Sequence, residues 1–256
     1  FILSPHNPRI LYHGMNFLYR SFDRGDEFEK ISPDLTYNDP DKKGDIPYQT
    51  ISTISESPFQ FGLIYVGTDD GKVHVTHDGG KSWAEIMHGI VANRWISRIV
   101  ASRYEKGTVF MSQNGKRHDD FTPYLWKSTD FGTTWQNISA NIPSGPINVV
   151  REDPKNPNVL YVGTDLGVYV SVNGGQQWHV LANNLPTTFV ADLVIHPRDD
   201  IMVIGTHGRG VYALDVQTIQ NFGQEKTEPT VESEAQSDSS ENRSTSSRER
   251  RRRPER

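Results

Sequence analysis

Thr76-His77-Asp78-Gly79-Gly80-Lys81-Ser82-Trp83 is one of four versions of the same octapeptide in this chain. The others are Ser21-Phe22-Asp23-Arg24-Gly25-Asp26-Glu27-Phe28, Ser128-Thr129-Asp130-Phe131-Gly132-Thr133-Thr134-Trp135 and Ser171-Val172-Asn173-Gly174-Gly175-Gln176-Gln177-Trp178. A hydroxyl residue is followed two places on by Asp or Asn, then by Gly, then three places later by Trp or Phe. The Asp or Asn is placed to accept backbone N–H bonds a residue or two further on. The Gly supplies the positive φ of a compact turn, and the aromatic is placed to plug the turn into the apolar layer beneath it. Copies starting at residues 21, 76, 128 and 171 mark an array of supersecondary units. Asp23, Asp78, Trp83, Asp130, Trp135, Asn173 and Trp178 are accordingly read as structural.

The repeat is larger than its turn. Ahead of the octapeptides stand Ser4–Gly14, Ser57–Asp69, Ser102–Ser112 and Asp153–Asp165, and a fifth such run, His196–Thr206, has no octapeptide after it. In the fourth copy the strands are expected at Ile147–Arg151, Val159–Gly163, Gly167–Ser171 and Trp178–Ala182. Each is short, rich in Val, Ile and Tyr, and bounded by Gly, Pro, Asn or Asp. No segment carries a 3.6-residue apolar period long enough for a substantial helix. Four antiparallel strands per unit, repeated radially, make a blade of a β-propeller. A sandwich or a β-solenoid is the competing arrangement, and a turn at one fixed place in a four-strand unit favours the propeller. The expected fold is therefore all-β, with about four and a half blades over residues 1–217. Open edges are costly to leave bare, so further blades are expected ahead of Phe1 rather than closure as a small ring.

The chain has 256 residues, 34% apolar and 23% charged, with a net charge of −5 and no cysteine. Disulfides, thiolate metal sites and cysteine nucleophiles are excluded. No apolar run is long enough for a membrane span. Residues 218–256 form a tail almost without large apolar side chains, which is expected to be disordered. It is acidic at Glu225, Glu228, Glu232, Glu234, Asp238 and Glu241, then basic at Arg248 and Arg250–Arg253. An arginine run can bind nucleic acid, but without stacking aromatics and beside an acidic block this partner is not expected.

The octapeptides resemble Asp-boxes, also called bacterial neuraminidase repeats. Phrases such as Ile31-Ser32-Pro33-Asp34-Leu35-Thr36, Tyr65-Val66-Gly67-Thr68-Asp69-Asp70-Gly71 and Gly205-Thr206-His207-Gly208-Arg209-Gly210 are similar to the sortilin-like propellers of large bacterial proteins. Those proteins often carry a glycosyl hydrolase label. The resemblance covers about residues 1–217 and implies the C-terminal portion of a larger propeller. It further implies an extracytoplasmic location, either periplasmic, cell-surface or secreted. It also implies a glycan, peptide or protein ligand.

If strands run from the axis outwards, the octapeptide turns share one face, and the loops between second and third strands share the other. The second face collects the long loop Ser32–Tyr48 and the insertion Gln113–Tyr124, the only long second-to-third-strand loop among the five copies. Arg94, Trp95, Arg98, His118, Asp119, Asp120, Tyr124, His207 and Arg209 are the candidate binding residues there. Planar faces beside charged groups suit a carbohydrate or a peptide. Asp69, Asp119, Asp120 and Asp165 are the candidates for a glycosidase pair, which needs two carboxylates about 5 Å or about 6.5–9.5 Å apart. No metal site is expected. His118-Asp119-Asp120 lacks ligand spacing, and Asp39–Asp45 resembles a calcium loop only faintly, lacking the distal glutamate. His207–Gly210 has no phosphate-loop pattern. No cofactor is expected.

Overall fold

The computed structural model describes residues 1–42, 48–143, 145–181 and 184–223. The tail from Gln224 onwards, and Lys43, Gly44 and Asp45 of the faint calcium motif, lie outside the described residues. The described chain is a β-propeller of five antiparallel sheets. The first blade holds β1 (Ile2–Leu3), β2 (Leu11–Gly14), β3 (Leu18–Ser21) and β4 (Glu29–Lys30). The second holds β5 (Ile51–Glu56), β6 (Ile64–Thr68), β7 (Val73–Thr76) and β8 (Ala84–Glu85). The third holds β9 (Trp95–Ala101), β10 (Val109–Asn114), β11 (Tyr124–Ser128) and β12 (Gln136–Asn137). The fourth holds β13 (Ile147–Glu152), β14 (Leu160–Thr164), β15 (Gly167–Ser171) and β16 (His179–Val180). The fifth has β17 (Val190–Ile195), β18 (Ile201–Thr206) and β19 (Val211–Asp215), with no outermost strand among the described residues.

Each octapeptide turn closes the third strand onto the short outermost one. In the second blade the Thr76 hydroxyl donates to Asp78 Oδ1 at 2.8 Å and accepts the Gly80 N–H at 2.9 Å. The same Asp78 oxygen accepts the Ser82 N–H at 2.9 Å. The carboxylate thus caps the amide four residues on, further than an Asx turn would reach. Those bonds from Ser82 and Thr76 hold the Asp78 carboxyl well below the usual range. Gly25, Gly80, Gly132 and Gly175 have φ of 105°, 97°, 89° and 92°, as a turn with glycine at that place requires.

Adjacent blades are joined by three devices. The indole N–H groups of Trp83, Trp135 and Trp178 donate to the carbonyls of Ile31, Ile86 and Ile138 in the preceding blade, at 2.9, 2.9 and 2.8 Å. The aromatic therefore clamps a neighbour as well as plugging its own turn. Trp178 is buried, while Trp83 and Trp135 are half-buried. A second device lies in the innermost strands of the second to fifth blades, which shift register near their starts, at Ser52, Ser97, Asn148 and Ala191. A bulge re-aims a side chain. Here the Ser52 and Ser97 hydroxyls reach the Ile96 and Ile147 carbonyls, each at 2.7 Å, and the Asn148 amide reaches the Val190 carbonyl at 3.1 Å.

The third device is a glycine notch in the second strand. A methyl group at Gly14 would come within 2.6 Å of Ile51 Cγ2, and one at Gly163 within 2.5 Å of Val190 Cγ1. One at Gly67 would overlap Ile96. The β-branched residues Ile51, Ile96 and Val190 of the inner strands are each seated in the notch of the blade before, while the third blade has Ser112 at that place. The core follows these joints, with buried clusters that combine neighbouring blades, such as Tyr65, Ile96 and Met111 or Val149, Val190 and Met202.

The compact unit runs to Gly223, six residues past the boundary expected at Gln217. A short helix, α1 (Gln217–Gln220), follows β19. It buries Gln220, whose amide donates to Asp153 Oδ2 at 3.0 Å. No helix of the described residues is long and apolar enough to cross a membrane.

Candidate functional site on the loop face

The insertion after β10 places its charges over three blades. Gly115 starts a short 3-10 turn over Lys116–His118, and Asp119 closes it in the left-handed region at φ 54°. From this turn Lys116 Nζ reaches Asp165 of the fourth blade at 2.7 Å. Arg117 reaches back towards Asp69 of the second blade at 3.7 Å. The Arg117 guanidinium also lies over the rings of Trp95 and Tyr48, 5.2 and 5.7 Å from their centroids. Lys116 Nζ lies 5.5 Å from the centroid of Phe189, whose edge meets His207 at 5.9 Å. Tyr48 and Phe189 stand just ahead of innermost strands and Trp95 opens one, so their rings share this face.

Asp120 anchors the base of the insertion. Its Oδ2 accepts Arg94 Nε at 2.9 Å and the Tyr124 hydroxyl at 2.8 Å, while Oδ1 accepts the Thr122 N–H at 3.1 Å. Burial would raise this carboxyl, but the bonds from Arg94, Thr122 and Tyr124 outweigh it and hold it well below the ordinary range. Asp69 is shifted the opposite way. It is buried, and loss of hydration raises its pKa despite the Thr50 N–H at 2.8 Å and the Arg117 charge. Asp165 also accepts the Asn148 amide at 3.0 Å.

The expected residues are thus partly united. Arg94, Asp120 and Tyr124 form one bonded group, and Trp95 joins Asp69 through Arg117. Asp119 and His118 are exposed on the 3-10 turn, and Arg209 is exposed beyond His207. Arg98 departs from expectation. It sits in mid-strand opposite Ser112 and turns towards the propeller axis, where its Nη2 meets Asp192 of the fifth blade at 2.9 Å. Arg151 meets the other oxygen of Asp192 at 2.9 Å. Strand alternation alone does not separate axis-facing from loop-facing side chains at the head of an inner strand.

Lys116, Arg117, Tyr48 and Phe189 were not among the expected binding residues. Their signal was available: an aromatic directly precedes the inner-strand head at Trp95 and again at Phe189. A cleft of about 240 Å³ opens beside Tyr48, lined also by Met15, Asn16, Asp34 and Thr36. A larger one of about 420 Å³ lies at the rim near Lys127, Gln136 and Gln176, away from these charges. Among the described residues no group of three His, Asp or Glu side chains is placed to hold a metal ion.

Comparison with known proteins agrees with this architecture. No protein of curated function matches the chain. Among solved structures, the GH74 xyloglucanase of Xanthomonas campestris is 25% identical with a TM-score of 0.67, over 83% of this chain and 36% of that one. The GH74 enzyme of Niastella koreensis is 16% identical with a TM-score of 0.64, over 85% of this chain and 35% of that one. An ancestral GH74 enzyme is 20% identical with a TM-score of 0.64, over 80% and 27%. The chain therefore spans between about a quarter and just over a third of the length of these neighbours. The family model described as sortilin, neurotensin receptor 3, matches residues 16–144. With half of its length under that model, the chain belongs to the Sortilin-Vps10 family.

Proposed function

We propose that this Asp-box propeller is a rigid binding platform whose loop face takes a glycan, peptide or protein ligand. The observation that carries the proposal is the Arg117 guanidinium set over Trp95 and Tyr48 with the Asp69 carboxylate beside it. Flat faces and charged hydrogen-bond groups at one place are what recognition of a sugar ring or a peptide needs. The loop that presents Arg117 is tied to the second, third and fourth blades by its ion pairs, so little ordering entropy is lost on binding. Further blade elements of a longer chain complete the platform, and an extracytoplasmic setting suits it. Titration of oligosaccharides and peptides against tryptophan fluorescence tests it. Saturable quenching that Arg117→Ala abolishes is the expected result, and quenching unchanged in that variant refutes the proposal.

A second reading is glycoside hydrolysis, and one observation favours it. Asp69 is pushed up and Asp120 held down on the same face, as an acid and a base are in glycosidase sites. Release of reducing ends from xyloglucan, abolished in Asp69→Asn, is what this reading requires.

A further inference from the structure

Arg117 holds a guanidinium whose N–H groups are unused. It lies over Trp95 and Tyr48, 5.2 and 5.7 Å from the ring centroids. Its charge partner Asp69 stands 3.7 Å away, beyond hydrogen-bonding distance, and the guanidinium donates no hydrogen bond among the described residues. The two rings hold in place a planar fork that matches the two oxygens of a carboxylate. Exposure also separates the two signs of charge. The side chains of Arg117 and Lys116 are 50% and 53% exposed, against 9% and 14% for their partners Asp69 and Asp165. An approaching ligand therefore meets the cations first, with the carboxylates beneath them. Asp119 is the exposed anion of the same turn.

Tyr48 is also a wall of the cleft of about 240 Å³, so the fork and the cleft adjoin. The cleft offers side-chain amides and hydroxyls. Asn16 Nδ2 donates to Asp34 Oδ2 at 3.0 Å, and the Thr36 hydroxyl donates to Asp34 Oδ1 at 2.7 Å. Asn16 Oδ1 and the Asn38 side-chain amide are left without a partner among the described residues. The backbone along the cleft is already engaged. The Met15 N–H donates to the Phe17 carbonyl, and the Met15 carbonyl accepts the Ile51 N–H. Thr50 donates to the Asp69 carboxylate and accepts the Asp69 N–H, and the Asn38 N–H goes to Thr36 Oγ1. An extended peptide is held by main-chain bonds and finds no ladder here. A sugar, whose hydroxyls both donate and accept, finds matching groups.

We infer that the loop face takes a uronic-acid glycan, with one uronate carboxylate on the Arg117 fork and the hydroxyls of the neighbouring sugar in the cleft at Tyr48. The inference rests on the binding-platform reading and narrows its ligand to an acidic polysaccharide. Charge-assisted bonds are roughly twice as strong as neutral ones, so the carboxylate supplies most of the affinity and the cleft selects the sugar. Lys116, bonded to Asp165 at 2.7 Å, adds positive potential beside the fork, and Asp119 opposes it.

Calorimetric titration of the 256-residue chain tests this. The probes are hexamers of galacturonate and of mannuronate, the same hexamers with their carboxyls reduced, hexaglutamate, and a dextran sulfate oligomer. Expected is a uronate hexamer that binds about tenfold or more tighter than its reduced form, the peptide and the sulfated polymer. Arg117→Lys keeps the charge and loses the fork, and should weaken that binding about tenfold or more, as should Arg117→Gln. Asp119→Asn, which suits the left-handed backbone at φ 54°, should tighten it, because asparagine tolerates that region. Lys127→Gln, at the distant rim cleft, should leave it unchanged. Each variant's melting curve shows whether it is folded. Equal binding of the reduced hexamers, of hexaglutamate or of dextran sulfate would overturn the uronate assignment and leave the platform standing. So would full affinity in Arg117→Lys. Silence from all of these probes would overturn the assignment, and the platform falls with it only if the wider titration of sugars and peptides is silent too.

Discussion

Trp135 donates its indole N–H to the Ile86 carbonyl at 2.9 Å, fastening the third blade to the second from a position 49 residues later in the chain. The bond is half-buried, so water does not replace it freely. Trp135→Phe keeps an aromatic side chain but removes the donor together with part of the indole's volume, and should cost about 1 kcal/mol for the bond plus the lost packing, measured as a lower denaturation midpoint with an unchanged m-value. Phe28 already holds the corresponding place in the first blade, so the substitution fits the repeat. An unchanged midpoint would show that the joint rests on ring packing alone.

Gly80 carries two requirements at once. Its φ is 97°, and any Cβ there would overlap the Ile31 carbonyl of the first blade. Gly80→Ala should therefore cost more than the roughly 1–3 kcal/mol of a strained backbone alone. Gly174→Ala, with φ of 68° and open space around the position, is the matched control for backbone strain. Equal losses in the two variants would remove the joint from the explanation.

The blade was legible because its turn is local. Hydroxyl, Asp, Gly and aromatic all act within eight residues, and strands such as Gly167–Ser171 fall where alternation and turn residues place them. The joints were not legible. Whether Ser52 points at solvent or at Ile96 depends on a bulge, and a one-residue register shift has no signature in composition. The loop site was half legible. The length of the 113–124 insertion marked it, and Asp120 does join Arg94 and Tyr124. Which cations cross to other blades, Lys116 and Arg117, depends on a 3-10 turn closed by the left-handed Asp119.

His74 should make stability fall in mild acid. It is buried on β7, and its Nδ1 has no hydrogen-bond partner among the described residues. Burial pushes its pKa down to about 4, against the pull of Glu85 3.8 Å away. The unfolded chain titrates near 6.5 and so binds the proton first. Stability from this group is complete above about pH 6.5 and is lost as pH falls towards the folded value. Midpoints of urea denaturation measured across that window should decline, and His74→Gln should flatten the decline. An equal slope in both proteins would assign it to other groups.

The end of the folded unit is testable by truncation. A chain cut after Gln217 loses Gln220, which donates to Asp153 Oδ2 at 3.0 Å and whose carbonyl accepts the buried Asn156 amide at 2.8 Å. The Phe222 carbonyl accepts the same amide at 3.2 Å. Asn156 and Asp153 sit in the turn before β14, so the cut strips partners from buried polar groups, at about 1–3 kcal/mol each where no water takes over. A chain cut after Gly223 keeps them all, and what it removes carries almost no large apolar side chain. The first truncation should lower the thermal midpoint and the second should leave it in place. A midpoint that fell already with the cut after Gly223 would mean that the acidic or arginine-rich block docks on the propeller, and its composition would then be the wrong guide to it.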